Sequence, residues 1–129
     1  MAKTQISSDT IKNNSITGAK VGDEFTTADA LTQSAGTVNI DWEDAQVFTF
    51  TATENITLNM QNVIVGVSKA IVITGEGASN TLSFNIEGAA GTFNKISGDY
   101  DDTSSTKNFI QVTCVGATEF WYTISQIDS

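Results

Sequence analysis

The sequence contains no histidine, no proline and no arginine, and it has only one cysteine. Without histidine, a serine or cysteine nucleophile has no imidazole base, and a zinc site of histidines and several cysteines cannot form within one chain. The absence of proline means that the edge strands of any sheet must be protected by charge, by bulges or by neighbouring subunits. We therefore expect a protein that is not an enzyme and that requires neither a metal nor another cofactor.

Positive charge is also scarce. Fifteen acidic residues stand against six lysines, which gives a net charge of −9. Such a chain repels nucleic acid and anionic membrane surfaces, so we expect neither as a partner. No segment approaches the roughly 18 continuous apolar residues of a membrane span, and the N-terminus lacks the apolar stretch of a signal peptide. These features predict synthesis in the cytoplasm without a secretory signal.

The apolar residues that are present favour β-structure. Three leucines stand against thirteen isoleucines, nine valines and nineteen threonines, and β-branched side chains prefer strands. Apolar and polar residues alternate in short runs after Gly36, as in Val38–Trp42 and Phe48–Ala52. The pattern predicts an all-β fold, with a β-sandwich or jelly-roll-like body of about eight short antiparallel strands over residues 37–129.

Three local features refine this prediction. Glu54 and Asn55 separate two alternating runs, which predicts a tight hairpin between the strands on either side of them. Residues 67–74 form a more continuous apolar run. This run predicts a strand that is covered on both faces or that lies at an oligomer interface. Thr26 and Asp29 have the spacing of a capping box, so residues 26–36 are expected to form a short helix or linker.

The first 25 residues have a different organisation. Ile6, Ile11, Ile16 and Val21 recur at intervals of five residues, and the residues between them are almost all polar or small. This period fits neither an α-helix nor a half-buried strand, and one apolar residue in five cannot bury itself within its own chain. Residues 1–25 are therefore either a disordered tail or an extended arm whose apolar residues pack against sister subunits or another partner. The regular spacing favours the arm.

The same segment resembles the N-termini of bacteriophage tail-fibre and virion-surface proteins. The matching residues are Asp9, Ile11, Ile16, Ala19, Lys20 and Val21. Later strand-like segments are similar to small β-domains at the ends of phage fibres: Val38–Trp42, Phe48–Phe50 and Ile56–Leu58. The resemblance implies a non-enzymatic, homotrimeric protein of the virion surface. A capsid decoration (cement) protein is favoured, since a fibre needs a longer shaft. Its arm would contact sister subunits and the major capsid protein or other virion proteins.

Two other functions stay open. The chain could be the receptor-binding tip of a tail or head fibre that recognises host glycans, or a free-standing carbohydrate-binding module. Both depend on exposed aromatic side chains, for which the candidates are Trp42 and Trp121. Because aromatic residues alternate around Trp121, at least one face of that strand is expected to pack in the core.

The remaining candidate chemistry is limited. An acidic segment at Asp99–Asp102 provides carboxylates that could bind a cation, but the EF-hand pattern fails because its sixth position lacks glycine and Ile110 occupies the twelfth. We therefore expect solvated loop acids there and no metal site. Cys114 lies in a strand-like run and is expected to be a small buried hydrophobic residue.

Overall fold

The computed structural model describes residues 22–127. The arm contacts predicted at Ile6, Ile11, Ile16 and Val21 lie outside the described residues. Within the described range there is one short helix and there are nine strands: α1 (Asp23–Thr26), β1 (Ala28–Ala30), β2 (Thr37–Asp41), β3 (Val47–Thr51), β4 (Ile56–Gln61), β5 (Ser68–Thr74), β6 (Leu82–Ile86), β7 (Thr92–Ser97), β8 (Lys107–Gly116) and β9 (Glu119–Ile127). In this range no helix has the length and apolar character needed to cross a membrane.

The strands form two sheets, and the first six strands belong to these sheets in turn. Strands β1, β3 and β5 lie side by side in parallel in a six-stranded sheet, and β2, β4 and β6 do the same in a three-stranded sheet. Each turn of the chain thus adds one strand to each sheet, as in a parallel β-solenoid. The prediction of an all-β fold is confirmed. The predicted antiparallel β-sandwich or jelly roll is wrong.

An internal repeat explains the solenoid. Thr37-Val38-Asn39-Ile40 aligns in register with Thr57-Leu58-Asn59-Met60, and that segment aligns with Ser83-Phe84-Asn85-Ile86. The second residue of each segment and the fourth face the interior, while the hydroxyl and the asparagine lie on the opposite face of the strand, where the middle asparagine, Asn59, is itself buried. Outward groups form ladders, since the hydroxyls of Thr57 and Ser83 are 3.0 Å apart and Asn59 Nδ2 donates to Asn39 Oδ1. Equivalent residues therefore stack from turn to turn.

The hairpin predicted around Glu54 and Asn55 is wrong for the same reason. Strands β3 and β4 belong to different sheets, so the chain turns a corner between them instead of reversing. Gln33 fixes this corner from the neighbouring turn of the solenoid. Its Oε1 accepts the backbone N–H of Thr53, and its Nε2 donates to the backbone oxygens of Glu54 and Asn55.

Two further expectations need correction. The helix lies at Asp23–Thr26, before the predicted capping box, and Ala28–Ala30 pairs with β3 as a strand. Strand β5 is covered fully on one face only, where Ile71 and Ile73 are buried, and its other face is half-exposed, so cover on both faces within the chain is wrong. The alternative that β5 lies at an oligomer interface stays a prediction. Sheet hydrogen bonds to β3 thus prevail over the weak helical signal of a few residues.

The last three strands complete the six-stranded sheet. Strand β8 pairs antiparallel with β5 and with β9, and β7 pairs parallel with β9 at the edge. Stacked or edge-on aromatic rings connect this region to the solenoid core: Trp42 with Phe120, Phe120 with Phe93, and Phe93 with Phe84. Gly98 permits the tight approach of the β7–β8 loop, since its φ is +82° and a Cβ there would lie 1.8 Å from the backbone oxygen of Ile124.

Candidate functional site

The outer face of the six-stranded sheet bears a shallow groove of about 310 Å³ beside Trp121. We call it the Trp121 groove. Strand alternation explains its position, because Phe120 points into the core and is fully buried while Trp121 points outward and is 48% exposed. The groove is lined by Gln46, Ser68, Ala70, Ile96, Gln111, Thr113, Trp121 and Thr123, together with part of Lys69.

A β-bulge shapes one side of the groove. The pairing of β7 with β9 passes from Lys95 opposite Tyr122 directly to Ser97 opposite Thr123, so Ile96 is skipped. Bulges redirect a side chain relative to the regular alternation of a strand. Here Ile96 lines the groove with 64% of its surface exposed.

The indole of Trp121 is held by hydrogen bonds at its edge. Its Nε1 donates to Glu119 Oε2 over 3.1 Å, and Asn94 Nδ2 donates to the same oxygen over 3.2 Å. Glu119 thereby has its carboxylate engaged by two donors. The ring is thus fixed in orientation with its polar N–H satisfied, and its apolar face remains available.

Neutral polar side chains surround the ring. Ser68 Oγ and Thr113 Oγ1 are 2.6 Å apart, and Gln46 Nε2 donates to the backbone oxygen of Ser68 over 2.7 Å. Thr123 Oγ1 lies 2.8 Å from Ser97 Oγ. The groove therefore presents an apolar ring among hydroxyl and amide groups.

The structure separates the two tryptophans that the sequence suggested as glycan contacts. Trp42 is fully buried, its Nε1 donates to Met60 Sδ over 3.4 Å, and its ring packs edge-on against Phe120. It offers no surface to a ligand in this conformation. Of the pair, Trp121 alone lies on the surface.

The acidic segment divides into solvated and buried carboxylates. Asp99 and Asp101 are exposed, as expected for loop acids, whereas Asp102 is only 8% exposed. Asp102 accepts hydrogen bonds from the Tyr100 hydroxyl and from three backbone N–H groups, those of Glu76, Ala78 and Asn80. It ties the loop after β5 to the loop after β7. Within residues 22–127, no group of three or more metal-ligating side chains converges.

The hydrogen bonds of Asp102 determine its titration. Burial by itself would raise the pKa of this carboxyl group, but the four donors stabilise the charged form and bring the pKa down to about 2. Burial and the neighbouring Asp102 raise the pKa of Tyr100, so its hydroxyl stays protonated as a donor. The role of Asp102 is structural.

Lys69 is the most unusual polar residue of the fold. It points inward from β5 and is 1% exposed, and its Nζ donates to the backbone oxygen of Glu24, to that of Ala45 over 2.9 Å, and to Gln46 Oε1 over 3.4 Å. Nζ also lies 5.3 Å from the centroid of the Phe25 ring. Burial lowers the pKa of Lys69, an effect that the charge of Glu24 opposes.

This lysine connects the start of the described chain to the centre of the sheet. Helix α1 follows directly on the five-residue repeat in sequence, and Lys69 holds its backbone against β5. We call α1 and its contacts with Lys69 the arm root. The arm root was not among the predictions from the sequence. The one signal for it is Lys69 itself, a single lysine within the apolar segment 67–74, which indicates a buried cation.

No family model matches the chain, and neither a curated protein nor a solved structure does. What the protein does must therefore be inferred from its own residues.

Proposed function

We propose that this chain is a non-enzymatic structural protein of a phage particle. It is a homotrimeric capsid decoration protein that is anchored through its N-terminal arm to the major capsid protein. The arm sequence, with its apolar residues at five-residue intervals, suggests this role by its resemblance to virion proteins. One structural observation supports the anchoring part most strongly, namely the arm root at Lys69.

The arm root favours an anchor over a functionless tail. Removing an ammonium group from water is costly, and carbonyl oxygens compensate only part of that cost. Lys69 is nevertheless buried on β5, in the interior of the six-stranded sheet, with its Nζ on the backbone of α1. A segment that attaches a protein to a particle holds the body in place only if the segment is itself fixed to the body, and the arm root provides that connection. A tail without a partner gains nothing from such a contact.

The body suits a passive role on a particle surface. Its stacked turns are joined by parallel backbone ladders, and side-chain ladders of hydroxyl and amide groups reinforce them. Three arms in one trimer would raise the attachment strength well above that of one arm, because each further contact forms at a high effective concentration. Durable attachment thus requires only modest affinity from each arm.

Two full-length variants test the anchor. Ile16→Asp places a charge at a proposed contact, whereas Asn14→Asp adds the same charge between the contacts. Burial of an isoleucine side chain is worth roughly 1.5–3 kcal/mol. Ile16→Asp should therefore weaken binding to purified particles of the phage that encodes the chain by at least about tenfold. Co-sedimentation with the particles measures this, and Asn14→Asp should bind like the parent chain.

Equal binding by the two variants would contradict the anchor. Detection of the chain in purified particles by mass spectrometry tests the virion location itself, and its absence from the particles would contradict that location.

A second function is favoured by a different observation. The Trp121 groove has the exposed aromatic ring that a receptor-binding tip or a carbohydrate-binding module requires. In either case the groove, and not the arm, would be the principal contact.

A further inference from the structure

We propose that the Trp121 groove binds a neutral oligosaccharide. In this site the face of Trp121 stacks on a sugar ring, and Gln111 is the principal hydrogen-bonding side chain. The inference goes beyond arm anchoring and does not depend on it, since the groove and the arm root use different residues.

The first support is the combination of exposure and fixed orientation at Trp121. Contiguous exposed apolar side chains often mark contact sites, whereas single ones are ordinary on a protein surface. Trp121 is 48% exposed and Ile96 beside it is 64% exposed. Since Glu119 already accepts the indole N–H, a ligand meets only the apolar face of the ring. A pyranose offers a matching apolar face of C–H groups, and aromatic side chains are typical floors for such ligands.

The second support is the type of polar group around the ring. Gln111 is exposed and lines the groove, and its amide has no hydrogen-bond partner among residues 22–127, so it can both donate to a ligand and accept from one. Thr113 shares one hydrogen bond with the Ser68 hydroxyl, and Thr123 contacts both the hydroxyl and the backbone oxygen of Ser97. Because a hydroxyl oxygen has two lone pairs, each threonine can still accept from a ligand. Sugar hydroxyl groups, which both donate and accept, match this set.

The third support is charge. The chain has a net charge of −9, yet the side chains that reach the surface of the groove are neutral, because the ammonium group of Lys69 is buried. An anionic sugar would be repelled by the chain as a whole and would find no cation in the groove. A cationic ligand would find no carboxylate among the residues that line the groove, and the neighbouring Glu119 holds its Oε2 toward Trp121 Nε1 and Asn94 Nδ2. A neutral ligand fits best.

The position of the groove argues against an extended peptide. Peptides that bind sheets usually add a strand at an edge, where backbone groups are unpaired. Strand β9 lies between β8 and β7 and is paired on both sides. A ligand that lies over β5, β8 and β9 meets side chains, because the backbones of these strands are paired on both sides, and the edge strand β7 adds only Ile96 to the lining. Such a surface suits a saccharide.

Tryptophan fluorescence of the full chain tests the inference. The chain has two tryptophans, and Trp42 is fully buried, so quenching by acrylamide reports on Trp121. The probes are the hexasaccharides of maltose, cellulose, chitin and mannan type at about 10 mM, which detects dissociation constants in the millimolar range. We expect at least one of them to protect Trp121 from quenching. Sialyllactose and a heparin hexasaccharide should protect it at least about tenfold less well at equal concentration.

Variants locate the site by isothermal titration with the protecting hexasaccharide. Trp121→Ala should weaken binding by about tenfold or more, as truncation of a central aromatic contact typically does. Gln111→Ala should weaken it by a smaller factor. Ile127→Ala removes another exposed apolar side chain from the same strand and should leave binding unchanged.

Four results would overturn the inference. They are no protection by any neutral hexasaccharide, stronger binding of the anionic sugars, unchanged binding by Trp121→Ala, and self-association of the chain that Trp121→Ala abolishes. The last result would assign the groove to contact between copies. Because every arm residue is intact in these variants, failure here leaves the anchoring experiment unaffected.

Discussion

Replacement of Asp102 by asparagine should destabilise the fold although the two side chains have the same shape. Asp102 Oδ2 accepts the N–H groups of Ala78 and Asn80, and Oδ1 accepts the Glu76 N–H and the Tyr100 hydroxyl. In the best orientation the new amide keeps its oxygen toward Ala78 and Asn80. The Tyr100 hydroxyl can rotate to accept from the amide nitrogen, but the Glu76 N–H then faces another donor.

Two independent routes give the size of the effect. One buried donor without a partner costs about 1–3 kcal/mol, and the two remaining bonds lose the extra strength of a charged acceptor. Alternatively, a pKa of about 2 in the folded state, against about 3.9 for an unfolded aspartate, corresponds to roughly 2–3 kcal/mol. We therefore expect a loss of about 3 kcal/mol at pH 7, or on the order of 10 °C in Tm for a domain of this size.

The pH dependence separates this mechanism from a general packing defect. Because the pKa of Asp102 is lower in the folded state, its contribution is complete above about pH 5 and is lost as the pH falls through about 2. The stability gap between parent and Asp102→Asn should therefore be widest at neutral pH and close between about pH 4 and pH 2.

Thermal unfolding followed by circular dichroism at pH 7, 4, 3 and 2 measures both effects. Asp99→Asn is the matched control, since the Asp99 side chain is 84% exposed and its partner among residues 22–127 is the surface residue Lys95. It should unfold like the parent. A loss of less than about 1 kcal/mol in Asp102→Asn, or a stability gap that persists unchanged at pH 2, would show that these hydrogen bonds do not depend on the charge of Asp102.

Two further predictions concern the backbone and the single thiol. Gly98→Ala should destabilise the fold much more than Gly66→Ala, although both glycines have a positive φ. A Cβ at Gly98 would meet the backbone of Ile124, whereas a Cβ at Gly66 meets nothing within 4 Å. Urea titration measures the stability of both variants, and equal losses would contradict this prediction. Cys114 is buried, and burial raises the pKa of its thiol. In the native protein, Ellman's reagent should therefore react with Cys114 only as fast as the fold opens. Fast reaction without denaturant would contradict this, because it would show that the thiol is accessible.

The strands could be predicted from the sequence, but their partners could not. Alternation at Val38–Trp42 or Phe48–Ala52 identifies a strand with one buried face, and the structure has strands there. Alternation contains no information on which strand lies beside a given strand. It therefore predicts a hairpin at Glu54 and Asn55, where the chain in fact passes from one sheet to the other. The repeat of hydroxyl, apolar residue, asparagine and apolar residue was visible in principle. Its spacing changes from 20 to 26 residues between Thr37, Thr57 and Ser83, which hides it from a search at one fixed period.

The candidate sites were predictable to a smaller degree. Trp42 and Trp121 are equal candidates for an exposed aromatic contact in the sequence, because both lie in alternating runs. Nothing local shows that Trp42 is the buried one of the two. The roles of Asp102 and Lys69 depend on backbone groups that lie more than 20 residues away in sequence. Such contacts follow from the winding of the solenoid, and a local pattern cannot indicate them.

An arm-anchored decoration protein is proposed to be a trimer, so the mass of the full chain in solution is the decisive measurement. Sedimentation equilibrium should give a species of three times the 13.7 kDa chain mass, and Ile16→Asp should shift it toward the monomer while Asn14→Asp should not. A single species with the mass of one chain at every concentration, or a trimer that Ile16→Asp leaves intact, would contradict the account.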